Sequence, residues 1–241
     1  HPDYSGQHAP ERFRDAFAAA LRAADLVLSP SEVTASHIHC WAGRLGQSPA
    51  IRVTPLGVMP PPVAGEPEAW LDPGADYFLA LGTIEPRKDH ALLLDVWDGL
   101  HNVPDTPLLV IAGKRGWRSE ALFERLDRMK STGSRIVERP DLPDAAIGTL
   151  LRHARALLAP SRIEGFGLPV AEAAALGTPV IAADLPVTRE VVGCYPQYLP
   201  AGDLPAWRAA VLDAMKKPPI RQPLRLPGWT DHFNRVFNSA Q

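Results

Sequence analysis

Five short runs of the chain are apolar at consecutive positions instead of alternating ones: "YFLALGT" (77–83), "PLLVIAG" (107–113), "SRIVE" (134–138), "RALLAPS" (155–161) and "TPVIAAD" (178–184). A strand that is hydrophobic on both faces has to be covered on both, which is the condition of a parallel sheet sandwiched between helices. Between the runs lie stretches with helical periodicity, at 89–101, 119–130, 144–154, 169–176 and 203–216, the last with its apolar residues on one stripe. Strand and helix in alternation predict a doubly wound, Rossmann-like α/β domain over residues 77–217.

Upstream, "PERFRDAFAAALRAA", "DLVLSPS", "EVTASHIHCWAGRLG" and "IRVTPLG" read as helix, strand, helix and strand. Residues 1–57 are too few to close a good core alone, so they are expected to be the tail of a second α/β domain. Proline-dense "PLGVMPPPVAGEPEAWLDPGAD" (55–76) breaks both periods, and 58–76 is read as a linker. Residues 218–241 form a closing segment in which Trp229 and Phe233, four apart, predict an apolar helical stripe that acts as a structural anchor, with the helix expected to pack back towards the N-terminal domain.

With 241 residues, 46% hydrophobic and 22% charged, the chain has the composition of a packed soluble protein. Its 25 Lys+Arg against 27 Asp+Glu leave a net charge of -2, which gives no reason to expect a nucleic-acid partner, so any phosphate must be met by local groups. Cys40 and Cys194 lie far apart and outside any Cys-x-x-Cys pair; both are read as free thiols of a reducing compartment. No apolar run approaches the roughly 18 residues that span a bilayer, and "HPDYSGQHAP" has neither a basic nor an apolar leader region. A cytoplasmic location follows as the expectation, with peripheral contact at the inner membrane face left open. "HIHC" (37–40) looks like a ligand cluster, but on a helix residues two apart diverge and zinc takes four well-spaced ligands, so no metal is expected there.

In a doubly wound sheet, ligands bind beyond the carboxyl ends of the strands. Two such junctions carry phosphate chemistry. In "GTIEPRKDH" (82–90) the strand ends at Gly82 and Thr83, Arg87 and Lys88 follow, and Asp89 is placed to cap the next helix. In "EGFGLPVAE" (164–172) Gly165 and Gly167 permit close backbone approach, and Pro169 suits the first turn of a helix whose free N–H groups favour an anion. A diphosphate fits between the two junctions. Glu172, one turn inside the helix, can accept hydrogen bonds from ribose hydroxyls, and Glu164 can face whatever lies beyond the phosphates. A glycine-rich strand-to-helix turn is also common for conformational reasons alone; its coincidence with "EPRK" favours ligand binding. "GKRGWR" (113–118) is compatible with a contribution to the site or with a solvated loop, and Glu190 with an approach to the site or with a cap on a surface helix.

These residues carry a resemblance. Glu164 and Glu172 in the E-x(7)-E pattern, their context "PSRIEGFGLPVAEAAALGTPVIAAD", "GTIEPRKDH" upstream, "LPVTREVVG" downstream and the closing "GWTDHFNRVF" resemble the C-terminal half of family 4 retaining glycosyltransferases of GT-B fold. The resemblance implies a nucleotide-sugar donor, with Lys88 and Arg87 on the diphosphate and Glu172 on the ribose. Glu164 is then on the transferred sugar, and the backbone of Gly165, Phe166, Gly167 and Leu168 is on the sugar and phosphate. Glu164, Lys88 and Arg87 are the expected catalytic residues, and Gly82 and Thr83 join the donor-binding set.

Two departures from the family pattern stand out: Thr83 replaces a frequent arginine, and the phenylalanine-glycine pair that helps hold the base is absent near "VERPDLPD". The family's acceptor domain and its histidine lie upstream of the segment that "HPDYSGQHAPERF" resembles, so the chain is expected to begin after them. No Asp-x-Asp motif occurs in the chain, and no metal or cofactor is expected.

The activity implied is hexose transfer with retention, from a donor such as GDP-mannose or UDP-glucose to a carbohydrate or lipid-linked acceptor in bacterial polysaccharide synthesis. "GTIEPRK" resembles the mannosyltransferase version of the loop. Alternatives are a non-catalytic nucleotide-sugar-binding subunit that needs a second chain, and a GT-B sugar-nucleotide epimerase.

Overall fold

The computed structural model describes residues 9–63, 70–71 and 74–237. Val27–Ser29 (β1) and Ile51–Val53 (β2) form a parallel pair beside the helices Ala9–Ala23 (α1) and Glu32–Arg44 (α2). Tyr77–Leu81 (β3), Leu108–Ala112 (β4), Ile136–Arg139 (β5), Leu157–Ala159 (β6), Val180–Ala183 (β7) and Gln197–Leu199 (β8) form a second, all-parallel sheet in the order β5-β4-β3-β6-β7-β8. His90–Asp98 (α3), Glu120–Ser131 (α4), Asp144–His153 (α5), Leu168–Ala175 (α6), Pro186–Val192 (α7) and Leu204–Lys216 (α8) connect and cover these strands, and Trp229–Phe237 (α9) follows.

The uninterrupted apolar runs do what their pattern requires. Phe78, Ala80, Ile181 and Ala183 pack with α3, α4 and α8 on one face of the sheet; Tyr77, Leu79, Val180 and Ala182 pack with α5 and α6 on the other. All five expected strands are present, and the structure adds β8. Its sequence shows no apolar run, and it is a strand through its parallel pairing with residues 181–183 of β7, at the edge of the sheet. The seven-residue α7 is likewise too short for its period to be read.

Part of the expected linker, 64–69 and 72–73, lies outside the described residues. The part that is described is not a free tether: Val58 is buried, its N–H donates to Pro227 O at 2.8 Å, and the carbonyl of Pro62 lies 2.1 Å from where a Cβ on Gly148 of α5 would stand. Helix α9 rests on β2 and the residues just after it: Arg52 Nη1 donates to Val236 O at 3.0 Å, and His232 Nδ1 lies 2.9 Å from Pro55 O. Trp229, Phe233 and Phe237 are exposed among the described residues and stack along the helix at 5.9 and 6.1 Å. Arg52 and the backbone carbonyls of Pro55 and Val236 hold this helix, together with His232.

"GKRGWR" proves to be a packing element. Gly82 N–H donates to Ala112 O at 2.9 Å, Ile84 N–H to Lys114 O at 2.8 Å and Gly116 N–H to Ile84 O at 3.0 Å, so the loops after β3 and β4 are zipped together. A Cβ on Gly113 would stand 2.0 Å from the Gly82 carbonyl oxygen, and backbone cannot yield as a flexible side chain can. Gly113→Ala is therefore expected to cost about 1–3 kcal/mol or more, lowering Tm by about 2–4 °C for each kcal/mol. A melting curve unchanged from wild type would contradict this packing. The loop's cations are taken up locally: Lys114 pairs with Asp141 at 2.6 Å, and Arg115 holds Glu138 at 2.8 Å and Asp127 at 2.5 Å.

Candidate functional site

The strand order changes direction at β3. From there the chain steps outward through β4 and β5, then returns to lay β6 on the opposite side of β3. That reversal opens a crevice at the carboxyl ends of β3 and β6, and the two loops singled out by sequence leave the sheet at these two ends.

Pro86–Lys88 forms one 3₁₀ turn after β3. Lys88 Nζ donates to Glu164 Oε1 at 2.6 Å, and Arg87 Nη1 donates to Glu164 Oε2 at 2.9 Å. Ser161 Oγ adds a third bond to Oε1 at 2.8 Å, and Arg87 Nη2 pairs with Glu85 at 2.7 Å. Arg162 N–H closes the two loops by donating to Arg87 O at 2.8 Å. Lys88 and Glu164 are 11% and 12% exposed at their side chains, whereas Arg87 is 33% exposed, so the pair is sheltered while the guanidinium borders solvent. Burial raises the Glu164 carboxyl's pKa, but the Lys88 charge, the bonds from Lys88 and Ser161, and the Arg87 charge outweigh it and hold the group below the ordinary carboxylate range.

Helix α6 begins beside this cluster. Gly167, at its N-cap, has φ 86°, a left-handed conformation that a side chain would resist, and Pro169 occupies the first turn as expected. Gly165 is exposed, Phe166 is buried in the core and Leu168 is at the surface. Gly82 faces the stem of Lys88: a Cβ there would stand 3.5 Å from Lys88 Cε, while Thr83 is exposed. Further along α6, Glu172 has no hydrogen-bond partner among the described residues and is partly accessible. Burial, then the nearby Asp144 charge, push its pKa up to about 7. A half-buried acceptor whose protonation changes near neutrality is suited to a pair of hydroxyls.

A cavity of about 20 Å³ lies between the two loops, lined among others by Lys88, His90, Ser161, Glu164 and Gly167. Burial, followed by the Lys88 charge, lowers the pKa of His90 to about 4, so its ring is neutral at ordinary pH. Asp89 stands at the N-cap of α3 as expected, but its side chain makes no cap bond: its backbone is left-handed at φ 51° and its carboxylate pairs with Arg162 at 2.8 Å. The cap bond fails because the side chain is drawn to a cation on the neighbouring loop. "HIHC" is exposed on α2, and no group of potential metal ligands occurs among the described residues. Cys40 and Cys194 are free and exposed.

The sequence profile of the glycosyl transferases group 1 family matches residues 68–222, more than half of the chain. The chain belongs to this family. Similar curated relatives include the serotype-specific mannosyltransferase WbdA of Escherichia coli, 35% identical over 55% of this chain and 16% of that protein. The O-antigen chain mannosyltransferase B of Escherichia coli is 33% identical over 58% of this chain and 37% of its own length. The chain therefore spans well under half the length of these relatives. Among solved structures, sucrose-phosphate synthase from Thermosynechococcus elongatus superposes with a TM-score of 0.71 at 21% identity, over 98% of this chain and 59% of that one. Anabaena Alr3699/HepE in complex with UDP and glucose gives 0.70 at 19% identity, over 86% and 59%. The fold is that of the GT-B glycosyltransferases, and no helix among the described residues is long and apolar enough to cross a membrane.

In this group 1 glycosyltransferase the structure brings Lys88, Arg87 and Glu164 into direct contact and sets Gly82 and the Gly165–Leu168 backbone around them. It leaves Thr83 at the rim and Glu172 a helical turn away beside Asp144. Four participants had no signal in the sequence: Glu85 and Ser161 as partners of the cluster, and Ser31 and Thr34 of α2, whose hydroxyls donate to Gly165 O at 3.1 and 2.9 Å from 134 and 131 residues away. No local period connects residues so far apart. Glu190 resolves as a cap: its carboxylate accepts from the N–H groups of Glu32 at 2.6 Å and Val33 at 3.1 Å, at the N-terminus of α2.

Proposed function

We propose that this chain forms the donor side of a retaining hexosyltransferase, which moves mannose from GDP-mannose, or glucose from UDP-glucose, to a carbohydrate or lipid-linked acceptor in bacterial surface polysaccharide synthesis. The observation that carries this reading is the convergence of Arg87, Lys88 and the α6 N-terminus on one crevice at the β3–β6 reversal. The mannosyltransferase relatives support the sugar, and the UDP and glucose held by a protein of the same fold support the ligand class.

Arg87 and Lys88 are formally balanced by Glu85 and Glu164. The cluster is therefore no bare electropositive patch, and an anion is recruited by directed donors. An ammonium has three N–H groups and a guanidinium five, so each cation retains donors after its carboxylate contacts, and the free N–H groups of the first α6 turn add a partial positive charge. In this reading these donors hold the diphosphate, Glu172 accepts from the ribose hydroxyls, and Glu164 with the Gly165–Leu168 backbone borders the sugar. Transfer passes through an oxocarbenium-like centre as charge builds on the departing diphosphate, so donors fixed at that oxygen stabilise the transition state more than the ground state.

Thermal-shift screening against UDP, GDP, ADP and their sugars tests donor binding, because a ligand of the native state raises Tm. One nucleotide class is expected to stand out, and a flat response to all of them sinks the reading. Retention is checked by the anomeric configuration of the product. Because the leaving charge is met by side chains and dipoles, transfer is expected to persist in excess chelator; abolition by chelator would contradict the assignment.

A further inference from the structure

We propose that Ser31 and Thr34, which lie outside the stretch matched by the family profile, are positioning residues that aim the Phe166 N–H at the donor. The inference rests on the donor reading of the β3–β6 crevice.

Ser31 is fully buried at the N-cap of α2. Its Oγ accepts from Thr34 N–H at 3.0 Å and donates to Gly165 O at 3.1 Å, while Thr34 Oγ1 donates to the same carbonyl at 2.9 Å. A single peptide oxygen thus receives two hydroxyls from one helix terminus. That terminus is itself fastened: Ser29 Oγ donates to Ser31 O at 2.8 Å, and the Glu190 carboxylate on α7 takes the Glu32 and Val33 N–H groups. Helix α2 therefore cannot shift along α7 without breaking bonds that hold Gly165.

The consequence follows from peptide geometry. The Gly165–Phe166 bond is trans, so the carbonyl of Gly165 and the N–H of Phe166 lie in one plane and point in opposite directions. Strand β6, which leads into this loop, lies between β3 and β7. Both hydroxyls that hold the carbonyl come from the α2 terminus, so the N–H points away from α2, into the loop that also carries Glu164. It has no hydrogen-bond partner among the described residues, while the Phe166 ring is buried in the core and fixes the Cα. Glycine at 165 does not set this plane by itself; the two hydroxyls do. A donor hydrogen bond preset in this way costs no reorganisation when ligand arrives.

The test uses Thr34→Val, which removes the hydroxyl at constant volume; Thr34→Ser, which restores it; and Ser31→Asp. Aspartate keeps the acceptor that caps Thr34 N–H but cannot donate to Gly165 O. Calorimetric Kd for GDP-mannose and UDP-glucose, Tm, and the shift of the Phe166 amide resonance on adding the sugar nucleotide are measured on each. Thr34→Ser is expected to match wild type. Thr34→Val is expected to bind about 3- to 10-fold more weakly at near-constant Tm, and Ser31→Asp more weakly still, each with a reduced Phe166 shift. Equal affinity and equal Phe166 response in wild type, Thr34→Val and Ser31→Asp would overturn the inference alone. A wild type that binds neither sugar nucleotide sinks the donor reading and this inference with it.

Discussion

Lys88→Ala is expected to lower kcat of transfer in the complete enzyme by about 10²–10³-fold, with a smaller rise in the KM for the donor. The ammonium sits on the 3₁₀ turn after β3, 2.6 Å from Glu164 and 11% exposed, where weak solvent screening makes a charge count for more than it would at a free surface. In the proposed reaction its partner in the transition state carries more charge than in the ground state, so its removal is felt chiefly in kcat. Arginine is not an equivalent replacement, because a planar fork cannot occupy the space of a compact ammonium beside His90 and Ser161. Loss of folding is a separate effect with a separate readout: Glu164 keeps its bonds from Arg87 and Ser161 in the variant, so Tm is expected to change far less than the rate. An unchanged kcat removes Lys88 from the site.

Donor affinity is expected to tighten about tenfold between pH 6 and pH 8, and this dependence to vanish in Glu172→Gln. Ribose hydroxyls donate to the ionised carboxylate. With a pKa of about 7, Glu172 is about one tenth ionised at pH 6 and about nine tenths at pH 8. A nucleotide sugar suits the titration, since its diphosphate has no proton to exchange in this range, whereas a free nucleoside diphosphate does. His90, with its pKa near 4, stays neutral throughout.

The sign for folding is the opposite. An acid whose folded pKa is raised binds its proton more tightly in the native state, so its stability contribution is complete below the ordinary glutamate pKa and is lost as pH climbs to about 7. The unliganded wild type should therefore lose Tm relative to Glu172→Gln over that rise while its donor binding improves. A flat affinity profile in wild type would take the ribose role from Glu172.

The legible and illegible parts of the site divide by distance along the chain. Lys88 sits at the end of one apolar run and Glu164 after another, so each strand-to-helix junction announces itself. The glycines and Pro169 mark the second turn because backbone conformation is a local matter. Glu190 was ambiguous because a carboxylate on a short helix looks the same whether it borders a ligand or caps another helix; its partners, Glu32 and Val33, are 158 and 157 residues away. Asp89 misled for the converse reason: the local rule favours a cap, and a tertiary contact with Arg162 overrode it. The aromatic stripe of α9 is legible as a stripe, but period determines which residues share a face and not what covers that face, and among the described residues Trp229, Phe233 and Phe237 are exposed.

By itself, the order of apolar runs and helical periods determined a doubly wound α/β sheet, and residue chemistry at two strand ends determined where an anion would be met. Both are properties of neighbouring residues, fixed by hydrogen-bond geometry and by the need to cover apolar surface. Only the tertiary structure decided that β6 returns beside β3 and so brings Lys88 onto Glu164, that Glu172 shares its surroundings with Asp144, and that two hydroxyls of α2 grip Gly165. Those pairings arise from packing between segments remote in sequence, where contact depends on how helices and sheet stack and no short-range pattern encodes it.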